Sequence, residues 1–222
     1  MINYLKLISM VCFFCAFVTS HLSSNQDFLL DESQATIVID VYDNAVILPM
    51  MDWQIQEAKK ISADRGNGFM KADRQVSRLN FIYEMIPPDE TFDKWTKIYA
   101  ILGINTPANP PINIDQHLQE NIFHFTNSCS GLSHKIDRAI GGDPNAIIIT
   151  FYCQTLKGTN EGEIALKYIK KTSNNKIIHV YHEWKGQQFE KSDESSWPVT
   201  ELEINEAKRR FERIQIIPSP NI

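Results

Sequence analysis

The sequence predicts an α+β fold: an antiparallel β-sheet with a C-terminal three-strand meander, packed by one long central helix and a C-terminal helix. Three observations carry this expectation. Short runs of β-branched and aromatic residues recur along the chain, an apolar stripe at helical spacing covers residues 115–140, and strands and helices do not alternate one for one. That order disfavours a parallel α/β sheet and favours helices laid on one face of an antiparallel one.

The chain opens with the layout of an export signal. Lys6 precedes an apolar run over residues 7–18, and small Val18 and Ser20 offer cleavage near Ser20. The run is shorter than the about 20 apolar residues a membrane span takes. Bulky Phe14 before Cys15 argues against lipid attachment, and no comparable run recurs, so no integral membrane segment is expected in the mature chain. The expected organisation is a signal peptide over residues 1–20, a flexible polar segment over 21–34, and a single α+β domain over 35–222.

Residues 35–41 are β-branched and read as a strand that resumes over 45–48 after Asp43 and Asn44. Past Pro49, Met50, Trp53, Glu57 and Ile61 fall at helical spacing, widened by Met51, Ile55 and Ala58, and glycines at 66 and 68 end the helix. Residues 76–86 and 94–102 read as strands around a proline break, and the prolines between 106 and 111 mark a connection. In the long helical stripe, Leu118, Ile122, Phe125, Cys129, Leu132, Ile136 and Ile140 keep a three-or-four spacing until Gly141 and Gly142 stop it. Strands over 146–154, 163–172 and 176–184 close the meander, with Asn174 and Asn175 suited to a two-residue hairpin at its second turn. Thr200 and Glu203 form a capping box for the last helix, whose stripe is Ile204, Ala207, Phe211 and Ile214.

Composition narrows function. The formal charge is −5, and removing the signal deletes one lysine and no acid, giving −6. A mildly acidic chain without a Lys/Arg-rich face has no general attraction for phosphate backbones, so nucleic acid is not an expected partner. Cys12 and Cys15 leave with the signal, so the mature chain keeps Cys129 and Cys153. In an oxidising compartment this pair is expected to form a disulfide, pinning the long helix to the first meander strand.

Two clusters could carry chemistry. His117, Glu120 and His124 share one arc of a helix and could converge on a metal, although a solvated helix face explains the same spacing and no His-Glu-x-x-His motif is present. On the last meander strand His179, Tyr181 and Glu183 share one face, while His182 and Trp184 share the other. A histidine with Glu183 could act as acid and base, yet a half-exposed hairpin strand looks the same. No Gly-x-Ser-x-Gly elbow or phosphate loop occurs, and no cofactor is implied.

The segment Tyr83-Glu84-Met85-Ile86-Pro87-Pro88-Asp89-Glu90, with Asp93-Lys94-Trp95-Thr96 after it, resembles uncharacterised small exported proteins of Gram-negative bacteria, intracellular pathogens among them. Those show an extended segment, Pro-x-x-Glu and then Trp-Thr opening the next strand, and some carry a strand cysteine placed as Cys153 is here. The resemblance implies a periplasmic or secreted bacterial protein and assigns no catalytic residue. The expected function is that of a non-enzymatic binding or interaction protein, such as a secreted effector, with a protein or other macromolecular partner. The alternative is a secreted hydrolase using His179 or His182 with Glu183.

Overall fold

Ten strands and three α-helices follow one another in the computed structural model, which describes residues 35–64, 70–105 and 113–219. The expected signal peptide, the polar segment over 21–34, the glycines at 66 and 68 and the proline-rich connection at 106–111 lie outside the described residues, as do the side chains of 60–64. β1 (Thr36–Val41) and β2 (Asn44–Pro49) form a hairpin that turns at Tyr42 with φ of 54°. α1 (Asp52–Asp64) follows, then β3 (Lys71–Val76), β4 (Asn80–Ile86) and β5 (Lys97–Ile104). α2 (Ile114–Ser128) leads directly into β6 (Cys129–Arg138). β7 (Ala146–Leu156), β8 (Glu161–Lys171) and β9 (Ile177–Gln187) precede α3 (Glu201–Phe211) and the short β10 (Gln215–Pro218).

The strands form two antiparallel sheets. β1, β2 and β10 make the small one, and the large one has the order β3-β4-β5-β9-β8-β7-β6. All these elements belong to one compact unit, Glu32–Ile222. The central strands are buried on both sides: Ala146 to Phe151 are all buried, as are residues 162–166. Such strands need cover on both faces. On one face Leu118 of α2 packs with Ile147, Ile149, Phe151, Ala165 and Ile169. On the other, Ile204, Ala207 and Phe211 of α3 and Val41, Val46 and Leu48 of the small sheet pack on Ile148, Leu166 and Val180. Gly103 lets the small sheet approach, since a β-carbon there would stand 2.4 Å from Val41 Cγ1.

Three expectations are corrected. The helices do not share one face; α2 lies opposite α1 and α3, because β7 and β8 bury both of their sides. The long helix stops at Ser128, and its second half is the edge strand β6, paired with β7 from Cys129↔Leu156 to Arg138↔Ile147. Leu132, Ile136 and Ile140 are spaced by four, a step that is even and also close to one helical turn, so both periods fit them. Gly131, in the left-handed region at φ of 72°, and pairing with β7 decide for the strand. The expected strand over 76–86 is instead the end of β3, a turn and β4.

The disulfide joins Cys129 to Cys153, with their Cα atoms 5.5 Å apart. Because α2 ends before Cys129, the bond ties the start of β6 to β7 rather than a helix to a strand. Elsewhere local chemistry sets the elements. The β8–β9 turn is longer than the expected two residues: the Thr172 amide donates to the Lys176 carbonyl at 2.9 Å around it, with Asn175 at φ of 60°, and Thr200 and Glu203 cap α3 reciprocally. Glu90 closes the β4–β5 turn by accepting from the Thr96 amide at 2.7 Å and from its hydroxyl. The Pro-x-x-Glu and Trp-Thr pattern therefore has a structural use.

Candidate functional site

Alternation along β9 sends its chemistry to two different places. His179, Tyr181 and Glu183 face the α2 side of the sheet, and His182 and Trp184 face α1 and α3.

On the α2 side, most of the polar groups of β9 and its neighbours are matched with one another. His117, in the first turns of α2, places Nε2 at 2.6 Å from Nε2 of His179, so one ring donates and the other accepts. Glu120 stands 3.5 Å from the other nitrogen of His117. Burial lowers the pKa of His117 against the raising pull of Glu120. Burial, with His117 and Lys167 nearby, drives His179 well below its ordinary value, so it is a neutral ring at pH 7. Further along the face Lys167 pairs with Glu183 at 3.3 Å and lies over the rings of Phe125 and Tyr181. Tyr181 donates to Glu84 at 2.9 Å. Glu163 is buried there, and burial together with the charge of Glu183 pushes its pKa up to about 8 despite Lys167 and Lys185.

The sequence-stated sets are thus redistributed. His117 and Glu120 come together, but His124 is exposed on α2 beside Phe123. No group of three His, Cys, Asp or Glu that could hold a metal ion occurs among the described residues. His179 meets His117 instead of a carboxylate, and Glu183 meets Lys167. His182 and Glu183 project to opposite faces, so they do not form an acid–base pair.

The other face holds an open cleft of about 160 Å³ between α1, α3 and the sheet. His182 is 4% exposed and borders it, packed against Trp184 at 4.0 Å and edge-on to Tyr99 at 5.9 Å. Neither ring nitrogen of His182 has a hydrogen-bond partner, nor has the buried indole N–H of Trp53. Burial, reinforced by Lys97 and Arg210, lowers His182 to about 3, so the ring is neutral at pH 7, with one donor and one acceptor nitrogen. Lys97 stands directly across from Trp184 in the β5–β9 ladder and lines the cleft.

The remaining charges of the cleft hold the fold. Arg210, buried on α3, donates to the Met50 carbonyl and to Asp52, and lies 3.9 Å from Glu206. Glu203 accepts from the amide and hydroxyl of Thr200 at 3.1 and 2.8 Å. α1 is positioned by Gln54, fully buried, which accepts from the Met51 amide at 2.8 Å and points its amide at the sulfur of Met85. Reasoning on the sequence missed Lys97, Trp53 and Arg210 as cleft residues. Arg210 follows Ala207 at three and Glu206 at four, a spacing that carries it to the buried side of α3, and that signal was available.

No helix among the described residues is long and apolar enough to cross a membrane. No protein-family model and no curated protein matches the chain. Among solved structures it is similar to the Ran-binding protein Mog1p of Saccharomyces cerevisiae, at 8% identity and a TM-score of 0.45, over 83% of this chain and 95% of that one. A single-residue variant of protein Mog1 gives 8% identity and a TM-score of 0.46, over 84% and 97%.

Proposed function

We propose that the chain is an exported, non-enzymatic binding protein that takes a protein or other macromolecular partner through the cleft between α1 and α3. The observation that carries this reading is an open, aromatic-walled cavity bordered by Lys97, His182 and Trp53, with the ring nitrogens of His182 and the indole N–H of Trp53 buried and unmatched beside it. A buried donor or acceptor without a partner costs about 1–3 kcal/mol. Groups left in that state at a cleft are those a ligand would satisfy. A hydrolase has less support, because His179 is closed off by His117, Glu183 is held by Lys167, and His182 is a very weak base. Export near Ser20, to the periplasm or beyond as a secreted bacterial effector, belongs to the same proposal and rests on the sequence.

A photo-crosslinking residue replacing Gln56, on the cleft wall, should trap a discrete partner from envelope or host extracts, while the same group at Lys157, by the β7–β8 turn, should not. Equal capture at both positions, or turnover in a hydrolase screen that His182→Ala abolishes, would sink this reading. Fractionation and N-terminal sequencing test export: a full-length chain retained in the cytoplasm refutes it.

A further inference from the structure

We infer that the cleft between α1 and α3 recognises a carboxylate, presented by the partner as an acidic side chain or a chain terminus. This inference deepens the binding reading and rests on it. Its warrant is a tally of what the cleft leaves uncommitted. Asp52 and Glu206 lie against Arg210, and Glu203 is held by Thr200, so the acidic groups are engaged within the fold.

Lys97 makes no ion pair among the described residues, and its ammonium is the uncommitted charge of the cleft. The indole N–H of Trp53 is an unmatched donor, and neutral His182 adds one donor and one acceptor. Two donors against one acceptor, beside the ammonium of Lys97, describe a receptor for an acceptor-rich anion. A carboxylate is acceptor-only and takes such donors through two oxygens.

Two further features point the same way. Asp52 and Trp53 begin α1, so the positive end of a 13-residue helix faces the cleft. The size of the cavity, about 160 Å³, suits a single side chain or a chain end and not an extended ligand. The walls of Trp53, Trp184 and Met51 would cover its aliphatic stem.

The test is an NMR titration of the full disulfide-bonded protein at low salt with four small probes. N-acetyl-glutamic acid α-amide carries a side-chain carboxylate, and N-acetyl-alanyl-alanine a terminal one. N-acetyl-glutamine α-amide is the neutral isostere, and N-acetyl-lysine α-amide the cation. At least one carboxylate probe should shift the Trp53 and Trp184 indole resonances and bind about tenfold more tightly than the amide or the amine. The tighter of the two identifies the source. Lys97→Met should weaken that probe about tenfold, and Trp53→Phe, which keeps a ring and removes the N–H, should weaken it severalfold. Preference for the amine or amide, silence of all four probes, or indifference to both substitutions overturns the carboxylate. Cross-linking at Gln56 that persists in any of these cases leaves the binding reading standing, and its loss removes both.

Discussion

The two faces of the large sheet hold nearly the same inventory of residues and differ in how those residues are matched. Each carries histidine, lysine, glutamate and large aromatics. On the α2 face three pairs satisfy one another, His117 with His179, Lys167 with Glu183, and Tyr181 with Glu84, and buried Glu163 is the exception. On the α3 face an ion pair and a capping box are complete, yet Lys97, His182 and the Trp53 indole remain unmatched. The comparison teaches that residue type alone says little about a site. A histidine on a strand is structural when its nitrogens are answered within the fold, and becomes available when they are not. Both cases occur on β9, three residues apart.

If the α2 face serves stability, breaking it should lower stability and spare ligand binding. The largest expected effect is removal of the disulfide by Cys129→Ala with Cys153→Ala. The bond closes a 24-residue separation, and its loss should destabilise the fold by roughly 3 kcal/mol, read from urea unfolding. Next is Lys167→Met. The pair it breaks is largely buried, with side chains 14% and 12% exposed, and Glu183 would lose its counter-charge. A cost of about 2 kcal/mol is expected, below the full range for buried pairs because some solvent reaches this one. Neither change should move the affinity of a carboxylate probe by more than about twofold. A tenfold loss of affinity in either variant would erase the division between the faces.

Much of the fold was legible because its signals are local. The α+β class with an antiparallel sheet, the Thr200–Glu203 capping box, the Asn175 turn and the pairing of Cys129 with Cys153 all follow from short-range chemistry or from counting cysteines. What escaped depends on partners distant in sequence. β3, Lys-Ala-Asp-Arg-Gln-Val, is an exposed edge with no apolar alternation to announce it. The end of α2 was hidden by a spacing that suits both periods. At the site, His182 was legible as a candidate, but the alliance of His117 with His179 spans 62 residues and only the folded sheet creates it. Lys97 looked like any lysine opening a strand, because nothing local tells whether a lysine has a counter-ion.

A smaller effect sharpens the comparison through pH. Glu163 rises from an ordinary 4.5 to about 8, so across that window the folded protein holds a proton that the unfolded chain has released. Its contribution is complete below the lower value and is lost as pH rises through the upper one. The lowered histidines act oppositely: their contribution is present above about 6.5 and fades as pH falls toward the value of about 3 at His182. Glu163→Gln should therefore remove a downward slope of up to about 1.4 kcal/mol per pH unit within the window from 4.5 to about 8. Chemical unfolding at a series of pH values checks it. An unchanged slope between about pH 7 and pH 8 would mean that Glu163 is ionised in the folded state.

The smallest stability effect is the most telling, because it repeats one chemical change on the opposite face. Lys97→Met removes the same ammonium and leaves the same length of chain as Lys167→Met. Lys97 has no ion pair among the described residues to lose, and its stem already lies beside Trp184 on the cleft wall. Methionine keeps the packing and deletes a charge from a cleft that contains Arg210, so stability should change by no more than about 0.5 kcal/mol. The same variant should nevertheless weaken a carboxylate probe about tenfold. Two lysine-to-methionine changes would then have opposite signatures, one in unfolding and the other in binding. A loss of about 2 kcal/mol from Lys97→Met would place this lysine among the groups that hold the fold. The α3 face would then have no free charge to offer a ligand.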